Sequence, residues 1–296
     1  MDGSAIHEPR ERRIALPARG GEMAALEFGP QDQPIDVVFS HANGFNARTY
    51  RTILAPLAGE LRILAIDLRG HGRTSLPLEM EGRFSWSDIR DDLLALLEAL
   101  DLTGVILAGH SIGATTSLLA AALSPARVRE LVLFEPVILP PEMIERAMTG
   151  ELLYGPMVDG ALKRRTVFAD RQTAWRAYHG RGAFKTWTDA MLADYVADGF
   201  RDLPDGHIEI ACPPDWEASS YKAQGNDVWG AFQHSLCPIR LYKAEHASSC
   251  RMTAEQALEI GSGRIEVTAI PNATHFLPME QPGLVQEALR AAVGRV

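Results

Sequence analysis

The segment Gly109-His110-Ser111-Ile112-Gly113 sets a serine between two glycines, directly after the apolar run Val105 to Ala108 and directly before a stretch of small, helix-forming residues. In that context a Gly-x-Ser-x-Gly pattern is a strand-to-helix elbow. The turn is sharp enough to strain the serine backbone, and the flanking glycines remove side chains that would collide with neighbouring turns. The hydroxyl then stands above a sheet, beside the free amides and positive dipole end of the following helix. Those amides favour the negative oxygen that develops when a carbonyl is attacked, and the backbone N–H of Ile112 is the expected donor. The chemistry implied is nucleophilic acyl transfer; the competing explanation is that Gly109 and Gly113 serve only close packing.

Such an elbow needs a sheet to stand on. Short apolar runs at Ile35 to Ser40, Leu61 to Ile66, Gly104 to Ala108 and Val128 to Phe134 read as buried strands. Arg12 to Pro17 and Glu22 to Phe28 flank Gly20-Gly21 as an antiparallel edge hairpin. Helices are predicted over Ser87 to Leu100, with Ser87 as cap and leucines at helical spacing, and over Ile112 to Leu123. The strand pattern stops from Val137 to about His234, where Pro140-Pro141, Pro204 and Pro213-Pro214 interrupt a region holding Trp175, Trp187, Trp216 and Trp229. It resumes with Ile239 to Tyr242, Thr253 to Ile260, Arg264 to Ile270 and a closing helix from Gln281 to Val293. The expected architecture is α/β, a mostly parallel sheet with helices on both faces. A core of residues 1–136 and 236–296 is interrupted by a helical cap of residues 137–235, inserted after the sixth strand.

Composition narrows the chemistry further. Acidic residues exceed basic ones by 38 to 29, a formal charge of −9, so no broad cationic surface is available to phosphates and a nucleic-acid partner is not expected. The cluster Arg10-Glu11-Arg12-Arg13 is interrupted by an acid and reads as a solvated leader. No apolar h-region and no run of eighteen apolar residues is present, so a soluble, cytoplasmic protein with no membrane span is expected. Cys212, Cys237 and Cys250 are odd in number and lack a Cys-x-x-Cys pair, which gives neither a disulfide framework nor a zinc site. No metal-ligand spacing of histidines is found, and neither metal nor organic cofactor is expected.

Two further segments accompany the elbow in order along the chain. Ser40-His41-Ala42-Asn43-Gly44-Phe45 resembles the oxyanion loop of the α/β-hydrolase superfamily, and Asp67-Leu68-Arg69-Gly70-His71-Gly72-Arg73-Thr74-Ser75 resembles its D-x-R-G-x-G-x-S loop. The resemblance runs through most of the chain. It implies that Asn43, two residues after His41, supplies the second oxyanion amide, with Ala42 standing where glycine is usual. It also places the catalytic histidine after the last strand, in Ile270-Pro271-Asn272-Ala273-Thr274-His275. A serine hydroxyl is a poor nucleophile at neutral pH and needs an imidazole to take its proton. His275 is that base; His41 and His110 are assigned to packing and loop hydrogen bonds.

The third partner is a carboxylate that holds the imidazole in one tautomer. The usual position in the superfamily falls in Lys243-Ala244-Glu245-His246-Ala247-Ser248, where Ala247 occupies the aspartate place, so Glu245 is one candidate. The favoured one is Glu135, which ends the run Leu131 to Phe134 beside the elbow, as in haloalkane dehalogenases and other members that keep their acid after this strand. A carboxylate ending an apolar strand is costly unless paired. Asp67 and Asp88 are read as structural.

In the cap, Tyr178, Phe184, Tyr195 and Tyr221 join the four tryptophans; most are assigned to holding the insert together, with one or two lining a pocket over Ser111. Arg164-Arg165 is read as a surface pair and the cap methionines as filler. The function expected is a serine hydrolase cleaving a carboxylic ester or related acyl bond of a small to medium apolar molecule through an acyl-enzyme. A serine at the elbow argues against dehalogenation and epoxide hydrolysis, which use aspartate there in this superfamily. The alternatives are carbon–carbon bond hydrolysis or cofactor-free perhydrolysis on the same triad, or a ligand receptor without turnover.

Overall fold

The computed structural model describes residues 8–294. Its first half lays down strands β1 (Arg10–Leu16), β2 (Gly21–Phe28), β3 (Val37–Ser40), β4 (Ile63–Ile66), β5 (Val105–His110) and β6 (Val128–Phe134). Between them lie helices α1 (Arg51–Leu54), α2 (Ser87–Ala99) and α3 (Ile112–Leu123). The segment after β6 carries α4 (Pro141–Met148), α5 (Pro156–Leu162), β7 (Val167–Phe168), α6 (Arg171–Tyr178), α7 (Asp189–Asp198), β8 (Phe200–Asp202), β9 (Ile208–Ile210), α8 (Pro214–Lys222) and α9 (Val228–His234). The chain closes with β10 (Ile239–Ala244), α10 (Ala254–Gly261), β11 (Ile265–Ile270), α11 (Leu277–Glu280) and α12 (Pro282–Val293).

Eight strands form the main sheet in the order β1-β2-β4-β3-β5-β6-β10-β11. β1 and β2 run antiparallel and β2 meets β4 antiparallel, while every later pairing is parallel. Successive side chains of a strand face opposite sides. Val38, Leu64, Leu107 and Leu131 therefore enter one core with α2 and α3, and Phe39, Ala65, Ala108 and Val132 enter another with α1 and α12. The parallel strands put the carboxyl ends of β5, β6, β10 and β11 at one edge, where an open α/β sheet leaves its crevice.

Three local expectations are corrected. Arg10 to Arg13 form part of the edge strand β1 rather than a free leader, because the buried Glu27 carboxylate on β2 draws in Arg10 at 3.1 Å and Arg12 at 2.8 Å, with Arg62 at 2.7 Å. Burial pushes the Glu27 carboxyl up, and the hydrogen bonds from the three guanidiniums outweigh it and hold the carboxyl below its ordinary value. Ser87 is the first residue inside α2 and does not cap it; Trp86 stands at the N-cap, and its side chain donates to Ser220 O rather than capping the helix. The inserted segment is not purely helical, since β7, β9 and β8 form a small antiparallel sheet. Strands of two or three residues are too short to show a periodicity of two. None of the described helices is long and apolar enough to cross a membrane.

Candidate active site

Ser111 joins β5 to α3 with φ 56° and ψ −121°, a conformation costing a side-chain-bearing residue about 1–3 kcal/mol. Its surroundings impose it. The Ser111 N–H donates to Phe134 O at 3.0 Å, which ties the elbow to the end of β6. A Cβ on Gly113 would lie 2.3 Å from Ser40 O, and one on Gly109 would lie 2.7 Å from the Gly113 carbonyl carbon. The two glycines thus provide both the close packing and the room for the bend.

The loop after β11 returns His275 to this point. His275 Nε2 lies 3.1 Å from Ser111 Oγ, and His275 Nδ1 lies 3.1 Å from Glu135 Oε2. A carboxylate only accepts, so the proton sits on Nδ1 and Nε2 is left to accept from the serine hydroxyl. Glu135 follows β6 with φ 49° and is fully buried. Its carboxylate also receives the Ala244 amide, the Ser248 hydroxyl at 2.7 Å and the Ser249 amide at 3.0 Å. Burial pushes this carboxyl up; the hydrogen bonds from His275, Ala244 and Ser248 prevail and hold it below the usual range. Ser248 and Ser249 were not singled out in the sequence, where two serines in a loop carry no signal. Ser249 Oγ lies 3.2 Å from His275 Nδ1 and has Glu135 O and Pro136 O as acceptors for its own proton.

Glu245 is not brought to the histidine. Its exposed carboxylate accepts from the Asn272 amide at 2.8 Å and faces its neighbour His246. Asp67 accepts from the Ala47 and Arg73 amides, both at 2.8 Å, and so ties two loops together. Asp88 pairs with Arg83 at 2.8 Å.

Asn43 and Ile112 line the same cavity as Ser111 and His275. The Ile112 amide is the first of α3 and has no intrahelical acceptor, and neither it nor the Asn43 amide has a backbone partner among the described residues. The Asn43 loop is held from below: Phe45 N–H donates to Ala42 O, and Gly44 N–H donates to His71 Nε2 at 3.0 Å. His41 Nε2 accepts from Leu68 N–H, and the His110 ring bridges Tyr50 Oη and His275 O, both at 2.7 Å. These histidines are framework.

Burial holds His41 and His110 well below 6.5 and brings His71 down to about 4. The unfolded chain therefore binds more protons, and the stability these rings contribute is present above pH 6.5 and lost as pH falls towards 4. For His71 this is worth ~3 kcal/mol. Asp67, pushed up to about 6 by burial, acts oppositely, regaining a similar amount as pH falls from 6 to 3.8. Asp194, also raised by burial, acts in the same sense as Asp67, and the two carboxylates offset part of the loss from the three histidines. The urea midpoint is accordingly expected to be lower at pH 4.5 than at pH 7; an unchanged midpoint contradicts it.

The cavity over Ser111 has a volume of about 560 Å³, within the range of small-molecule sites. Leu139, Met143, Leu153 and Met157 of the inserted segment form an apolar wall, so these methionines are more than filler. Of the aromatic residues named from the sequence, Tyr221 lines it, and Tyr154, Phe276 and Trp86 join it unanticipated. Phe184, Trp187 and Tyr195 pack on one another instead, and Trp187 meets Phe45 at 5.1 Å. Arg164 is not a surface residue: its guanidinium binds the Glu217 carboxylate and Tyr195 Oη at 2.8 Å, partners too distant in sequence to be inferred. Cys212, Cys237 and Cys250 are buried free thiols.

The chain is similar in sequence and in fold to known proteins. The chain is 34% identical over 145 residues to a haloalkane dehalogenase of Agrobacterium fabrum, covering 44% of this chain and 43% of that protein. It is 33% identical over 117 residues to an esterase of Mycobacterium tuberculosis, covering 40% and 37%. The matched stretches span less than half the length of these curated relatives. The crystal structure of E-2-(acetamidomethylene)succinate hydrolase superposes with a TM-score of 0.75 at 19% identity, covering 96% of this chain and 99% of that one, which shows a common fold. Over residues 37–288, a span that includes Ser111, Glu135 and His275, the sequence matches the alpha/beta hydrolase family, and the chain belongs to that family.

Proposed function

We propose that the protein is a serine hydrolase that cleaves a carboxylic ester or related acyl bond of a small to medium, largely apolar molecule. The observation that carries this reading is the continuous relay from Ser111 Oγ through both nitrogens of His275 to the Glu135 carboxylate, opening into an apolar cavity. In the first step Ser111 Oγ attacks the carbonyl carbon while His275 Nε2 takes the hydroxyl proton. Glu135, held ionised by its hydrogen bonds, stabilises the imidazolium without taking its proton. The amides of Asn43 and Ile112 receive the oxyanion. The imidazolium then protonates the leaving alcohol, and water releases the acyl group by the same route in reverse. In this reading residues 1–136 and 236–296 form the catalytic core, and residues 137–235 form a cap whose apolar wall excludes water and guides the acyl chain.

Treatment with a fluorophosphonate tests the assignment without knowledge of the natural substrate. One adduct is expected, on the peptide carrying Ser111, together with steady hydrolysis of short 4-nitrophenyl esters. Labelling elsewhere, or none with ester turnover intact, overturns the nucleophile. A panel of carbon–carbon substrates such as vinylogous diketones separates acyl-oxygen from carbon–carbon cleavage.

A further inference from the structure

The cavity over Ser111 is largely apolar, with a minority of polar groups that include Asn43, Ser111, Ser220, Gln224 and His275. Among the described residues that line it there is no aspartate or glutamate, and the single permanently charged side chain is Arg251. Its backbone is fixed: Arg251 N–H donates to Ile138 O at 2.8 Å, beside the isolated bridge between Ile138 and Cys250. The flanking Cys250 and Met252 are 1% and 0% exposed, whereas Arg251 is exposed. Alternation along this extended segment turns the guanidinium away from the core while its neighbours anchor it. The guanidinium makes no hydrogen bond or ion pair among the described residues, in a chain with nine more acids than bases. A planar five-donor cation at an apolar cavity without a counter-charge matches a carboxylate, which it can bind with two parallel hydrogen bonds.

We propose that Arg251 is a specificity-determining residue, and that the substrate carries a free carboxylate separated from the scissile carbonyl by an apolar spacer. The substrate class is thus a half-ester, or an ester with an acidic tail, rather than a wholly neutral ester. This inference rests on the hydrolase reading above. In the complex the spacer lies along the wall of Leu139, Met143 and Met157, the carboxylate reaches Arg251, and the carbonyl reaches Ser111.

Two measurements test it separately from that reading. The first compares kcat/KM for chain-matched pairs: 4-nitrophenyl pentanoate against the 4-nitrophenyl half-ester of pentanedioic acid, and phenyl pentanoate against 4-carboxyphenyl pentanoate. A preference of about tenfold for the anionic member of one pair is expected, equivalent to ~1.4 kcal/mol. The preference should collapse towards unity in Arg251→Gln and survive in part in Arg251→Lys. No preference in either pair, or one that persists in Arg251→Gln, overturns the assignment. The second needs no turnover. Calorimetry on the Ser111→Ala protein should show octanedioate binding more tightly than octanoate, with the difference lost when Arg251→Gln is added; equal binding overturns the inference. A binding difference without any ester turnover or phosphonate labelling instead removes the hydrolase reading and leaves Arg251 as an anion contact.

Discussion

Ser111→Ala is expected to lower ester hydrolysis by a factor on the order of 10⁵, with the folded structure intact. The chemical reason is that no other hydroxyl replaces Ser111 Oγ at 3.1 Å from His275 Nε2; Ser249, the next serine on the ring, approaches Nδ1, the nitrogen that faces Glu135. Stability should change by less than about 1 kcal/mol, because alanine keeps the Cβ that strains the elbow and loses only a hydroxyl facing the cavity. Ser111→Gly provides the complementary result. It should be equally inactive yet more stable by about 1 kcal/mol, since glycine adopts φ 56° without penalty. An alanine variant that retained a tenth of the wild-type rate would displace Ser111 as nucleophile, whatever its stability.

The elbow was legible in the sequence because its parts are local. Two glycines four residues apart, an apolar run before them and small residues after them fix the turn within one stretch of chain, and the structure puts β5 and α3 on either side of Ser111. The approach of His275 and Glu135 rests on topology instead. Glu135 was distinguishable because a carboxylate at the end of a buried strand needs partners, but those partners, the Ala244 amide at the end of β10 and Ser248 and Ser249 in the polar loop after it, lie more than a hundred residues away. A separation of 53 residues, spanning the small sheet of the insert in sequence, hid the Arg164–Glu217 pair. Periodicity describes one element at a time. It cannot say which polar groups two elements will bring together, and the pocket wall and its cation are properties of that assembly.

Glu135→Gln against Glu245→Gln is the second decisive comparison. Glutamine at 135 keeps one acceptor oxygen but presents an NH₂ group where Glu135 receives a donor on each side. One arrangement faces the amide NH₂ towards the Ala244 amide and Ser248; the other faces it towards the Ser249 amide and His275 Nδ1. In the second, the ring is driven to the tautomer with its proton on Nε2, which can no longer accept from Ser111, and in either the imidazolium loses its counter-charge. A loss of about 10³–10⁴ in kcat is expected, with KM changed far less, because the charge is needed only when His275 is protonated. Two donors left facing each other in a buried site also cost on the order of 1–3 kcal/mol, seen as a lower Tm. Glu245→Gln should stay within twofold of wild type in kcat, since its carboxylate is exposed and bonded to the Asn272 amide, which a glutamine oxygen can still receive. The reverse outcome, an inactive Glu245→Gln and a near-normal Glu135→Gln, would require the loop after β10 to swing Glu245 onto His275 in the working enzyme. It would also leave a buried carboxylate, still receiving the Ala244 amide, the Ser248 hydroxyl and the Ser249 amide, with no role in the reaction.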